Sequence, residues 1–422
     1  MDLRVRYPNT ALGSSPGGKR RTTAWMTHSR APGIRLSAKL PHENTIASSM
    51  TAKFKTHPAP HKLSGTSFLL FFSAMLTVGC GAEKAGPVYL KGDGSWRAIE
   101  ALSSTEAWCA GANGEWRKLV LQNDVLVAQS HPDAIPMPAD STAVPHYRGL
   151  AVLSDALIGT AIGSPARIRR ATRDGNLMER NTVWQEDHPD AFLDAIVTLD
   201  DTTLVAMGDP IDGCLCVVRS GDGGRTWAKV PCAVKDGPGV PASLEGEAAF
   251  AASNGNLAAS GDTVWMLSGG GASRVYRSLD RGRTWTAFDT PLQQGGTMTG
   301  GFSMDFADAF HGIVWGGNWE DKADQTGRGA ITTDGGTTWS LVSEGAGPGY
   351  ASCVLYRPGS GGLQLALLGT PGGLDVSEDG GQTWRHVSDS AYYAARFSPD
   401  GTALWTCGNG LFARYSPRDL GW

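Results

Sequence analysis

Four aspartates recur in one octapeptide setting through the second half of this 422-residue chain. A carboxylate repeated so regularly could ligate a metal ion or act as an acid. The settings are Ser220-Gly221-Asp222-Gly223-Gly224-Arg225-Thr226-Trp227 and Ser278-Leu279-Asp280-Arg281-Gly282-Arg283-Thr284-Trp285. Thr332-Thr333-Asp334-Gly335-Gly336-Thr337-Thr338-Trp339 and Ser377-Glu378-Asp379-Gly380-Gly381-Gln382-Thr383-Trp384 complete the set. The neighbours of each aspartate point away from metal or acid chemistry. Asp and Ser side chains bond backbone amides just ahead of them and close a turn. Gly224, Gly282, Gly336 and Gly381 supply the positive φ of a tight hairpin. Thr226, Thr284, Thr338 and Thr383 then open the next strand, and the following indole packs under the turn. Turn chemistry accounts for the whole pattern, so these residues are expected to build scaffold, with no catalytic or metal-ligating role.

The elements that carry these turns are strands. Gly numbers 56, Trp 14, and only 18% of residues are charged. Short Val/Leu/Trp-rich runs bounded by Gly, Asp and Pro recur, as in Phe192–Val197, Thr203–Gly208 and Cys216–Arg219. The aspartates lie 58, 54 and 45 residues apart, about one propeller blade each. The chain is therefore expected to be an all-β, seven-bladed β-propeller, with six blades as the alternative if 107–145 and 149–184 are a single mis-split unit. The last unit, 393–415, has three strands, and Gly94–Ile99 is expected to supply the fourth and close the ring, leaving no open edge.

If the octapeptide turns join third and fourth strands, they occupy one face, and ligands of such propellers use the other. The candidate binding residues there are Asp209, Asp212, Glu245, Glu247, Asn318, Trp319, Glu320, Tyr350 and Arg396. Carboxylates, an indole and a guanidinium together suit a polar partner.

Charge divides the chain. Residues 1–79 hold eleven Lys/Arg and two Asp/Glu, leaving 26 basic and 39 acidic groups, a net of −13, for the rest. So acidic a domain argues against nucleic acid, whose phosphates demand a basic patch. Residues 1–49 carry no strand or helix pattern and read as a disordered or mis-called upstream extension. Residues 50–79 follow the order of a secretory signal, with Lys53, Lys55 and Lys62 before the apolar run 67–76. Thr77-Val78-Gly79-Cys80 resembles a bacterial lipobox, with Thr77 where Leu is commoner. That resemblance implies lipidation at Cys80, a linker over 80–90, a propeller over 91–422, and export to the periplasm, outer membrane or cell surface. The membrane would then be met only through the lipid. Among the other six cysteines, Cys214 or Cys216 could meet Cys232 across the first octapeptide hairpin.

The octapeptide itself, S/T-x-D-x-G-x-T-W, resembles the Asp-box (BNR) repeat of sialidase-like and photosystem-assembly-factor-like propellers. Sialidases carry a Phe/Tyr-Arg-Ile-Pro motif, which this chain lacks; Arg167-Ile168-Arg169 and Arg396-Phe397-Ser398-Pro399 differ in order. A xyloglucanase-like hydrolase needs two facing carboxylates, for which Asp209 and Glu247 are the candidates. Neither a dinucleotide-binding glycine motif nor a Cys/His metal cluster is present, so no cofactor is expected. With Met207–Gly213 and Gly246–Ser253, residues 90–420 resemble bacterial exported proteins related to the plant photosystem II stability/assembly factor. The photosynthetic members are non-enzymatic chaperones. The resemblance implies a non-catalytic propeller that binds an envelope protein, the alternative being a carbohydrate-active hydrolase or glycan-binding module.

Overall fold

Alternation along each strand sorts its side chains between two neighbouring sheets. In Leu204–Ile211, Leu204 and Ala206 pack with Ile158, Ile168 and Val218 on one side. Val205 and Met207 pack with Val264, Met266 and Tyr276 on the other. Both faces are buried, so the strand reads as a continuous apolar run rather than an alternating one. A computed structural model describes residues 86–130, 145–173, 181–235, 237–369 and 372–422. The expected extension, the leader and Cys80 lie outside them. Among the described residues there are 28 strands, one 3-10 turn at Ala112–Gly114, and no α-helix.

These strands form an all-β propeller of antiparallel meanders. Tyr147–Val152, Ala156–Ala161, Ala166–Thr172 and Asn181–Glu186 make one four-stranded sheet, and Leu193–Thr198 to Ala228–Lys229 the next. Leu257–Ser260 to Thr286–Asp289 and Cys353–Tyr356 to Arg385–Ser388 make two more. A fifth sheet runs from Thr299–Phe306 to Ser340–Leu341 and is extended by Gly269–Gly270 and Glu247–Ala248.

The count departs from the sequence expectation of seven blades. Hydrogen bonding gives six sheets among the described residues, because the first and last units share a strand. Val88–Ala101 is continuous: Trp96–Ala101 pairs with Glu106–Gly111, while Val88–Lys91 and Ser95 pair with Leu404–Tyr415. What the sequence divides into two blades is joined by hydrogen bonds through that strand into one six-stranded sheet. Within it the partner of the last unit lies mainly at 88–91, ahead of the expected 94–99.

Arginines latch successive sheets at the octapeptide turns. Arg170 Nε donates to Gly223 O at 3.1 Å, Arg219 Nε to Arg281 O at 2.8 Å, and Arg277 Nη1 to Gly335 O at 3.0 Å. Each arginine lies in the third strand of one sheet and holds the fourth position of the turn on the next. Cys214 forms the disulfide with Cys232, held by bridges of those two residues to Ala242 and Val240. Cys216 packs instead into the core with Ile168 and Val218, as a buried free thiol.

Candidate functional site

The four octapeptide turns are closed by their own atoms. In the third, Thr338 N donates to Asp334 Oδ1 at 2.9 Å, and Thr338 Oγ1 to Asp334 Oδ2 at 2.7 Å. Gly336 N donates to Thr332 Oγ1 at 3.0 Å, and Trp339 Nε1 to Gly336 O at 3.2 Å. The corresponding bonds recur around Asp222, Asp280 and Asp379. Burial raises the Asp334 carboxyl, but the Thr338 and Thr337 donors outweigh it and hold the group down at about 2. Such carboxylates are spent on the turn. Among the described residues no group of three or more His, Cys, Asp or Glu side chains is placed to hold a metal ion.

Register fixes the two ends of the central channel. Thr198 opposes Leu204, which opposes Ser220, so inner-strand C-termini and octapeptide turns share one end. At that end lies a cavity of about 350 Å³, lined by Glu100, Asp305, Tyr356 and Arg396 and by aliphatics such as Leu150 and Met304. Arg396 Nε donates to Glu100 Oε1 at 3.2 Å and Nη2 to Asn254 O at 2.9 Å. Asp305 is pushed up to about 6 by burial, against the amides of Tyr356 and Phe306 that bond it. Arg396, expected at the turn-free mouth, belongs here. It opposes Trp405, one pair from the turn end, because it falls late in Tyr392–Phe397.

The structure commits most of the other expected binding residues to local bonds. Glu247 is buried, and its carboxylate receives Arg274 Nη2 at 2.6 Å, Tyr276 OH at 2.9 Å, Ser268 Oγ at 2.5 Å and the Leu244 amide at 2.8 Å. Asp209 Oδ1 accepts from the Ala249 amide at 2.9 Å. Asp212, at φ +59, sits at a hairpin tip with Lys229 Nζ 3.5 Å away. Glu245 and Glu320 are exposed. Asn318 Oδ1 caps its own loop through the Glu320 and Asp321 amides. The carboxylates expected to face each other, Asp209 and Glu247, each accept bonds from nearby backbone or core groups.

Trp319 and Tyr350 do converge, on an apolar group that spacing in the sequence does not reveal. Phe250 stacks on Phe302 with centroids 4.1 Å apart, and Tyr350 meets Phe302 edge-on at 4.8 Å. Trp319 packs on the same cluster, with Lys322 Nζ 4.2 Å from its ring centroid. Beside it, at the turn-free ends of the inner strands, stand Arg97, Arg148, Asp194 and Tyr393. Arg97 lies over the Tyr393 ring at 3.8 Å, and Arg148 Nη1 donates to Ala251 O at 2.8 Å. Burial and then the Asp209 charge push the Asp194 carboxyl well up. His146 is pushed down to about 4 by burial and by the charges of Arg148 and Arg97. The arginines escape sequence reading because the residues on either side of each, Trp96 and Ala98 or Tyr147 and Gly149, carry no charge. Their one signal is that arginine is rarely buried without a partner.

No family model matches the chain. A xyloglucanase of Hypocrea jecorina (strain QM6a) is 24% identical over 212 residues, covering 43% of this chain and 23% of that enzyme. The chain therefore spans about a quarter of the curated relative it matches. A solved structure described as YCF48 bound to D1 peptide is 16% identical, with a TM-score of 0.53, covering 79% of this chain and 98% of that one. YCF48 from Cyanidioschyzon merolae is 12% identical at a TM-score of 0.52, with 79% and 98% covered. The RRP9 WD40 repeats are 10% identical at 0.53, with 79% and 98% covered. At these identities the likenesses establish the propeller fold.

Proposed function

We propose that this chain is a non-catalytic, exported propeller, anchored by a lipid on Cys80, that holds a segment of an envelope protein at its turn-free mouth. The observation that carries the reading is the aromatic cluster of Phe250, Phe302, Tyr350 and Trp319 at that mouth. Phe302 and Tyr350 are buried, and Phe250 and Trp319, packed on them, keep part of their surface in solvent, so a firmly backed pair of rings is offered to a partner. The solved YCF48 holds a D1 peptide, which supports peptide capture as a use of this architecture. The octapeptides are read as Asp-box (BNR) repeats, a reading favoured by their recurring bonds.

The blade count is read as seven, with the N-terminal strand closing the ring. Its support is the pairing of Val88–Lys91 with Leu411–Arg414, which lets the last unit count as a blade separate from the first. On this view residues 1–49 stand outside the fold, 50–79 are the leader, 80–90 link the lipid to the propeller, and the protein lives in the periplasm or on an envelope membrane. A glycan-acting role is the less favoured reading: the xyloglucanase likeness speaks for it, but Asp209 and Glu247 are committed elsewhere.

The test is binding of tiled extended peptides from envelope proteins to the full chain, followed by fluorescence polarisation. Trp319→Ala and Phe250→Ala should each weaken the best binder at least ~10-fold, the loss of about 1.4 kcal/mol of contact. Equal binding by both variants would remove this face from the function.

A further inference from the structure

Other deeply buried arginines are matched by acceptors. Arg274 meets Glu247, Arg170 meets Asp155, and Arg328 donates to the carbonyls of Pro348, Gln325, Ser343 and Ala346. Arg97 and Arg148 are the exceptions. They are 6% and 3% exposed, and the Nε of each lacks an acceptor among the described residues. Arg97 makes no hydrogen bond to any described residue; its guanidinium rests on the Tyr393 ring. Arg148 has only the Ala251 carbonyl.

Asp194 is a poor counter-ion for the pair. It is fully buried, and neither of its carboxyl oxygens has a partner at bonding geometry, although the Asp209 and Ala251 amides lie near enough to lower it. Its carboxyl is pushed well up by burial first and by Asp209 second, so it favours the neutral form. Arg148 is driven down to about 9 by burial and then by the Arg97 charge. Two neighbouring guanidiniums buried with so little compensation are costly to the fold, and an external anion removes that cost.

We propose that Arg97 and Arg148 form the receptor for a carboxylate, with the aromatic cluster holding the apolar group next to it. The arginine fork matches a carboxylate through two parallel N–H donors, and the dry surroundings strengthen those bonds. Tyr393 holds the Arg97 plane from one side, leaving its edge for the ligand. The proposal rests on the reading of this mouth as the peptide-binding face. The carboxylate can be a chain terminus or an acidic side chain of the bound segment.

Calorimetric titration of the full chain with three small probes separates the possibilities. N-acetylphenylalanine carries a terminal carboxylate, N-acetyl-aspartyl-phenylalaninamide a side-chain one, and N-acetylphenylalaninamide none. At least one acid should bind ~10-fold or more tightly than the neutral amide, and Arg97→Gln should abolish the difference. Arg148→Gln is the second variant, and the thermal transition of each reports whether it folds. Equal binding of all three probes, binding of none at ~10 mM, or an acid preference that survives both substitutions overturns the proposal. So does inorganic phosphate binding as tightly as the acids. If tiled peptides bind while acids and amide do not differ, the arginine assignment fails and the peptide reading stands. If the acids bind through Arg97 and no peptide does, the reading fails and the anion site stands.

Discussion

Glu247 exposes none of its side chain, and all its bonds are to the chain that carries it. Removing one member of such a cluster strands the others. Glu247→Ala leaves the Arg274 guanidinium buried without its carboxylate and should cost about 3–5 kcal/mol in denaturant unfolding. Tyr276→Phe removes one donor of several and should cost about 1 kcal/mol. A Glu247→Ala loss below about 1 kcal/mol would mean the carboxylate is free enough to serve a ligand after all. The sequence displays Glu247 as a polar residue in a glycine-rich connection, where a binding role is the natural expectation. Its partner is 27 residues further on, in another strand, and nothing local announces the pairing. Arg97 and Arg148 are hidden for the opposite reason: their neighbours in sequence are apolar and give no sign that the two meet across the channel mouth.

Elements were legible wherever the code is local. The octapeptide turns follow from side chains that bond amides two to four residues away, and all four form as their residues dictate. In the second turn Arg281 takes φ +62 where the other copies have glycine, and its guanidinium meets Asp200 and Asp262. The arginine latches between sheets were not legible, because each joins residues about 53 to 62 apart. Nor was the choice of Cys214, which also bridges to Ala242, over Cys216, which packs in the core. Strand sharing at Val88–Ala101 yields the clearest test at this scale. A chain beginning at Ser95 lacks the partner of Leu411–Arg414, so amides there should lose hydrogen-exchange protection and the exposed edge should promote self-association. Native-level protection of those amides would show that the pairing does not hold the last strand.

At the scale of the whole molecule, the basic N-terminal segment and the acidic remainder suit different surroundings. The proposed anchor makes the division physical: a lipid on Cys80 would tether at a membrane a propeller whose net charge, −13 beyond residue 79, is repelled by anionic headgroups. Cys80→Ser should move the protein from the membrane to the soluble fraction, and persistence in the membrane fraction would remove lipidation at Cys80. Among the described residues no helix is long and apolar enough to cross a membrane. The shared strand has a further consequence, one of timing. Tyr89 and Tyr415, whose hydroxyls are 3.4 Å apart, are separated by 326 residues. At about 5–20 residues synthesised per second, that interval lasts roughly 15–65 s. Throughout it Val88–Lys91 lacks its strand partner, so one edge of the first sheet stays open until Leu411–Arg414 has been made.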